Sequence, residues 1–190
     1  MLYNKMTKDI FTASSNIFAN KVVFEKPTDV HYHEFLEICL VHSGKGIHTI
    51  NGLSSECKGG DYFIINHNTP HAIYPKGEMT VYNIVFTPDF IDTIMQGDDF
   101  DDIMQYYLFK KLFIVDKSTI RFKASEEIVN IFITMFNEYE NKSIGYIDVL
   151  RSKLILLLIF TLRQANKINT ALPQGLSSNF DDVISYIIKN

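Results

Sequence analysis

The segment His31-Tyr-His33-Glu-Phe-Leu-Glu37 sets two imidazoles and a carboxylate at alternating positions of what reads as one strand, His31 to His42. Side chains alternate across a strand, so positions 31, 33, 35 and 37 share a face. His71 stands at the end of a polar loop, entering another strand. Imidazole nitrogens and a carboxylate oxygen are donors that zinc, iron, manganese or nickel accept. His31, His33, Glu37 and His71 would together hold a divalent transition metal. The same groups would hydrogen-bond a polar small molecule. They would also satisfy one another as a purely structural network, because a buried carboxylate needs partners. All three readings stand open on the residues alone. Phe35 shares the inward face of the His31 strand, whereas Tyr62, Tyr82 and His48 point either way. Core packing or exposure accounts for each of these, and aromatic rings at a pocket mouth would stack on a sugar or other flat ligand.

The elements that must position these groups are short strands. Val22–Phe24, the His31 strand, Ile47–Ile50, Ser55–Lys58, Asp61–Ile65, Ala72–Tyr74 and Thr80–Phe86 are separated by turn signals, among them Asn51-Gly52. Many short strands at regular spacing suggest a barrel or a double-sheet sandwich. After Phe86 the pattern changes. Thr87-Pro88 opens a short helix through Met95. Phe113–Val115 and Ile120–Phe122 read as a small hairpin or as extended chain. From Ser125, a candidate N-cap, Ile128, Ile131, Phe132, Met135 and Phe136 recur at helical steps.

A second helix is expected from Ser143 to Ile168. Its middle, Leu154 to Phe160, is apolar on every face, which implies burial on more than one side. Ile147, Leu150, Leu154, Leu157 and Thr161 step by three and four and form the expected interface of a twofold dimer. Residues 169–179, with Pro173 and Gly175, read as a linker. Phe180 to Asn190 starts a further amphipathic helix too short to fold alone. The expected organisation is an N-terminal arm (1–18), a β-barrel (19–87), a helical segment (88–168), the linker (169–179) and a truncated helix (180–190). The natural protein is expected to continue past it.

Composition narrows the function. Lys and Arg total 18 and Asp and Glu 22, a net charge of −4 over 190 residues. Such a surface is not built to grip nucleic acid, which takes clustered cations. A chain 46% hydrophobic and 21% charged is globular. Cys39 and Cys57 make no disulfide framework. The start lacks a secretory h-region, and no apolar run reaches the roughly 20 residues a spanning helix needs. No membrane association and a cytoplasmic location are expected.

Two motifs then stand out together. His31-x-His33-x3-Glu37-x6-Gly44 resembles the first cupin motif, and Gly60-x10-His71 has the spacing of the second. Departures from that pattern are Glu25 at its opening glycine, Asn66-His-Asn68 at its Pro-x-Gly turn and Pro75 at its terminal Asn. Adding Ser43-Gly-Lys-Gly46, Gly59-Gly-Asp61-Tyr-Phe-Ile-Ile65 and Pro70-His71, nearly the whole chain resembles the N-terminal sensor domain of AraC/XylS-type transcriptional regulators. The resemblance implies an α+β fold, with a cupin-like antiparallel barrel followed by dimerisation helices. It implies a small polar effector, such as a sugar or related metabolite, bound by His31, His33, Phe35, Glu37, His71 and Tyr82. It implies a homodimer, and DNA contact only through a C-terminal helix-turn-helix domain opened by 180–190. No catalysis is expected, and no cofactor beyond the divalent transition metal that His31, His33, Glu37 and His71 would accept. The rival expectations are a metal-dependent cupin dioxygenase or isomerase, and a storage or scaffold cupin without ligand.

Overall fold

The computed structural model describes residues 4–6, 16–87, 89–90 and 120–169. In chain order the strands are β1 (Asn4–Met6), β2 (Ile17–Phe24), β3 (His31–His33), β4 (Leu36–Ser43), β5 (Lys45–Ile50), β6 (Leu53–Lys58), β7 (Asp61–Ile65), β8 (His71–Pro75), β9 (Met79–Phe86) and β10 (Ile120–Lys123). Helices α1 (Glu126–Asn141) and α2 (Tyr146–Asn169) follow. One sheet runs in the order β1-β3-β8-β5-β6 and the other β10-β7-β4-β9-β2. All pairings are antiparallel except β1 with β3. The ladders make two separate sheets rather than one closed ring, so the architecture is a cupin-like double-sheet sandwich with helices on one side.

Alternation explains the layering. On β4, Leu36, Ile38 and Leu40 belong to the cluster shared with the helices, while Cys39 and Val41 belong to the cluster between the sheets. β4 is therefore buried on both faces, as a strand covered on two sides must be. The inner cluster joins Ile50, Cys57 and Ile73 of one sheet to Phe63, Ile65, Met79 and Val81 of the other. The outer cluster joins Ile17, Tyr62, Ile84 and Phe86 to Ile128, Phe132, Met135, Leu154 and Leu158. Asn51 and Gly52 take φ of 50° and 78°, the backbone a two-residue hairpin needs between β5 and β6. At Gly44 (φ 84°) a Cβ would strike the Glu78 carbonyl, so only glycine fits there.

Several boundaries differ from expectation. β2 opens at Ile17, two residues before the boundary at 19, because Ile17 and Ala19 are fully buried. The strand expected over 31–42 breaks at Glu34–Phe35, where the chain leaves one sheet for the other. Ile120–Lys123 pairs with β7 as an edge strand, in line with the extended reading of Ile120–Phe122. Ser125 caps α1, accepting the Ile128 N–H at 3.3 Å. α2 begins at Tyr146 rather than Ser143. The 87–95 helix is described only at Asp89–Phe90. Residues 113–115, 170–179 and the 180–190 helix lie outside the described residues. Among the described residues no helix is long and apolar enough to cross a membrane.

The expected dimer stripe needs correction. Leu150, Leu154, Leu157 and Thr161 are each 0% exposed within the single chain, and Ile147 is half-buried. The stripe faces α1 and the outer side of the β10-to-β2 sheet, and Thr161 accepts a hydrogen bond from Tyr62 at 3.2 Å. An all-round apolar helix satisfies its first face inside its own domain, so Leu150, Leu154, Leu157 and Thr161 are not free for a second copy, while Ile147 keeps part of its surface.

Candidate functional site

The break at Glu34–Phe35 builds the site. His31 and His33 stay in the first sheet while Glu37 enters the second, so their side chains meet across the gap rather than along one strand face. His33 Nε2 lies 2.9 Å from Glu37 Oε2, and His71 Nε2 lies 3.8 Å from the same oxygen. His33 is 0% exposed, His71 3% and Glu37 8%. Register sets His31 directly opposite His71, and their rings sit 4.2 Å apart. Phe35 stacks on His33 at 4.1 Å and 6°.

Each imidazole is oriented by the backbone. Nδ1 of His31, His33 and His71 meets the carbonyl oxygens of Asp29, Phe35 and Thr69 at 2.9, 2.8 and 3.1 Å. A carbonyl only accepts, so Nδ1 carries the proton in all three. The Nε2 atoms are thereby set to face the carboxylate. Between His33 Nε2 and Glu37 Oε2 only a proton or another cation makes the 2.9 Å approach favourable. An Nδ1–H held by a carbonyl with Nε2 aimed inward is the arrangement that orients a metal-ligating histidine. His33, Glu37 and His71 offer donor atoms all within 4.8 Å of one another. This donor set fits a divalent transition metal; His31 stands beside it rather than in it.

The electrostatics follow from burial. Burial by itself would raise the Glu37 carboxyl; the hydrogen bond with His33 and the charges of His71, His33 and His31 outweigh it and bring it down to about 2. Burial pushes His71 down to about 4 against the pull of Glu37, and pushes His48 down to about 3. At neutral pH an ionised Glu37 therefore sits among neutral His71 and His48.

Expected site residues divide cleanly. His31, His33, Phe35, Glu37 and His71 are brought together. Tyr82 is not. β9 turns Val81 into the gap between the sheets and Tyr82 toward the helices, where its ring meets Phe136 at 5.5 Å and His42 at 5.4 Å. Tyr62 is on the helix side for the same reason. His48, open to either face on the sequence alone, is 1% exposed; it points inward against Phe63 at 4.6 Å and lies 5.9 Å from His71, with Nε2 unpartnered. The inward parity of Gly46, His48 and Ile50 decides between the two faces. Asn83 shares the inward parity of Val81, opposite Asn20 in register, and both have a buried Oδ1 without a partner.

Comparison with known proteins decides the family. A model described as the AraC-like ligand binding domain matches residues 25–143. The chain belongs to that family. It is 32% identical over 88 residues to the HTH-type transcriptional activator RhaR of Escherichia coli (strain K12), covering 45% of this chain and 31% of that protein. RhaR of Shigella flexneri serotype 5b (strain 8401) matches equally. The match thus spans under a third of those relatives. Among solved structures, an apo variant of ToxT from Vibrio cholerae strain SCE256 aligns with TM-score 0.57 at 11% identity, over 80% of this chain and 58% of ToxT. Wild-type ToxT with a bound unsaturated fatty acid gives 0.53 at 10%, over 76% and 52%. At these identities the likeness shows the fold.

Within this AraC-like domain the departure at the second cupin motif is one of residue type. Asn68 stands where the motif has its turn glycine and takes φ 55°, a left-handed backbone that Asn tolerates. Its N–H donates to the His33 carbonyl at 2.6 Å, tying the loop that delivers His71 to the strand that carries His33.

Proposed function

We propose that this domain senses a small polar effector between its two sheets and passes its occupancy to the helices, as the sensing part of an AraC-type regulator. The observation that carries this reading is the buried cluster of Glu37, His33 and His71 beside the apolar cluster between the sheets, with Nε2 atoms aimed at one oxygen. Unpartnered polar atoms of His48, Asn83 and Asn20 are further hydrogen-bonding groups for such a guest. A polyhydroxylated ligand, a sugar or sugar acid, offers matching donors and acceptors. DNA contact belongs to a C-terminal helix-turn-helix domain, and the location is the cytoplasm. Self-pairing would use the opposite side of α2, where Leu156 is 40% exposed, rather than the buried stripe. The domain is not proposed to be an enzyme.

The test is a thermal-shift panel of sugars, sugar acids and polyols on the wild type and on Glu37→Gln. An effector that binds only the native state raises the melting temperature by mass action. The expected result is a shift in the wild type that Glu37→Gln loses. A panel without any shift, or one whose shift survives the substitution unchanged, contradicts the reading. A second reading rests on the 4.8 Å donor group: His33, Glu37 and His71 would hold a divalent transition metal that orients the effector. Elemental analysis of protein purified without chelator decides it. Stoichiometric metal, lost in His33→Ala and His71→Ala, supports it.

A further inference from the structure

A second concavity lies at the other end of the sandwich. Its volume is about 440 Å³, and five basic side chains line it: Lys45, Lys58, Lys76, Arg121 and Lys123. Two acids, Glu56 and Asp61, share the wall. Five cations less two carboxylates leaves +3 in one pocket of a chain whose net charge is −4. Along β5 this wall sits at Lys45–Gly46, four residues from Ile50, the register partner of His71. At strand rise that is about 13 Å from the Glu37 cluster.

The carboxylates are already committed. Glu56 meets Lys76 at 3.1 Å. Asp61, 1% exposed, pairs with Lys123 and accepts the Lys58 backbone N–H at 2.9 Å. Among the described residues Arg121 finds only the Glu56 carbonyl oxygen, at 2.6 Å. The ammonium groups of Lys45 and Lys58 have no ion pair among the described residues, and these two lysines stand directly opposite each other in the β5–β6 register. Like charges placed so destabilise a sheet. Lys76 closes the triangle, its N–H bonded to the Lys45 carbonyl. A concave wall of unneutralised cations focuses potential on an anion, and a guanidinium fork suits phosphate or carboxylate oxygens.

We propose that this pocket binds a compact polyanion, bearing phosphate or clustered carboxylates, between Lys45 and Lys58 of one sheet and Arg121 and Lys123 of β10. The occupant ties the β5–β6 hairpin to an edge strand. β10 runs through Ala124, held by the Gly60 carbonyl at 2.8 Å, into the Ser125 cap of α1. An anion there acts on the strand from which the helices spring, separately from the Glu37 cluster.

Calorimetric titration of the 190-residue chain with sodium pyrophosphate, and in parallel with citrate, tests this at ionic strength fixed with sodium chloride. Saturable binding is expected, weakened about tenfold or more in Arg121→Gln and in the pair Lys45→Gln/Lys58→Gln. Lys153→Gln on α2 leaves it unchanged. Tighter pyrophosphate than citrate assigns a phosphate ligand, and the reverse a polycarboxylate. Without anion, Lys58→Gln melts no lower than the wild type, because it relieves repulsion from Lys45. Absence of saturable heat with both anions overturns the proposal. So does equal affinity in the variants, or a lower melting temperature of anion-free Lys58→Gln.

Discussion

Tyr62 and Thr161 provide a two-residue test of how the sheets are joined to α2. The Tyr62 hydroxyl donates to Thr161 Oγ1 at 3.2 Å, and Thr161 donates to the Leu157 carbonyl at 2.7 Å. Both residues are 0% exposed. Tyr62→Phe removes a donor whose acceptor keeps its own bond, so it costs one net hydrogen bond, about 1 kcal/mol. Thr161→Val leaves the Tyr62 hydroxyl buried and unsatisfied and costs more, about 1–3 kcal/mol. In the double variant neither partner is stranded, so its cost falls below the sum of the singles by about 1 kcal/mol, the coupling of the pair. Urea unfolding at one fixed protein concentration measures all four proteins. The midpoints should order as wild type, Tyr62→Phe, Thr161→Val. Additive costs within about 0.3 kcal/mol would refute the placement of Thr161 in an intramolecular joint.

Other outcomes follow from the same geometry. Leu154→Ala and Leu157→Ala, at positions fully buried between α2, α1 and the sheet, should each destabilise by about 2–5 kcal/mol in chemical denaturation, whereas Leu156→Ala at a 40% exposed position should cost under about 1 kcal/mol. Acid should destabilise the domain. His48 and His71 have folded values of about 3 and 4, below the solution value of 6.5, so their contributions are full above pH 6.5 and are lost as pH falls toward those values. Glu37, lowered from 4.5 to about 2, has the same sign, its share being lost below 4.5. Melting temperature should therefore fall from pH 7 to 4, less steeply in His48→Asn, and a flat profile in the wild type contradicts the buried neutral histidines. Gly44→Ala should lower the melting temperature sharply, since its Cβ would strike the Glu78 carbonyl at a positive φ.

Strands and turns were legible because alternation and Asn-Gly or Gly-Gly punctuation are local signals. Ser125 capped the helix it was expected to cap for the same reason. What was not legible depended on partners distant in sequence. Periodicity marks Leu150, Leu154, Leu157 and Thr161 as one stripe but not what covers it, and Tyr62, 99 positions away from Thr161, supplied the answer. Alternation along 31–37 predicted convergence of His31, His33 and Glu37, and they do converge, but across a strand break at Glu34–Phe35. Tyr82 was misjudged because a strand covered on both faces gives no polar-apolar contrast from which to read its inward side. His48 stays open between the two faces in the sequence because one imidazole in a short strand has no pattern until His71 is placed beside it.

If the effector binds at Glu37 as proposed, the two faces of β4 give it a route to the helices. Glu37 faces the gap between the sheets, while Leu36, Ile38 and Leu40, its neighbours on the same strand, pack in the cluster that holds Ile128, Phe132 and Met135 of α1. α1 lies over β2, β9 and β4. A guest that draws Glu37 toward itself must therefore move a strand whose reverse face is interlocked with α1, and packed interfaces shift between discrete arrangements rather than deforming smoothly. Tight binding alone is not enough. The guest changes the balance only by the difference in its affinity for the two packings. Glu37 is suited to supply that difference, because its ionised oxygen lies 2.9 Å from His33 Nε2 and has His71 Nε2 at 3.8 Å, beyond hydrogen-bond reach. A guest hydroxyl that donates to that oxygen would compete with His33 for it, one residue along β4 from Leu36.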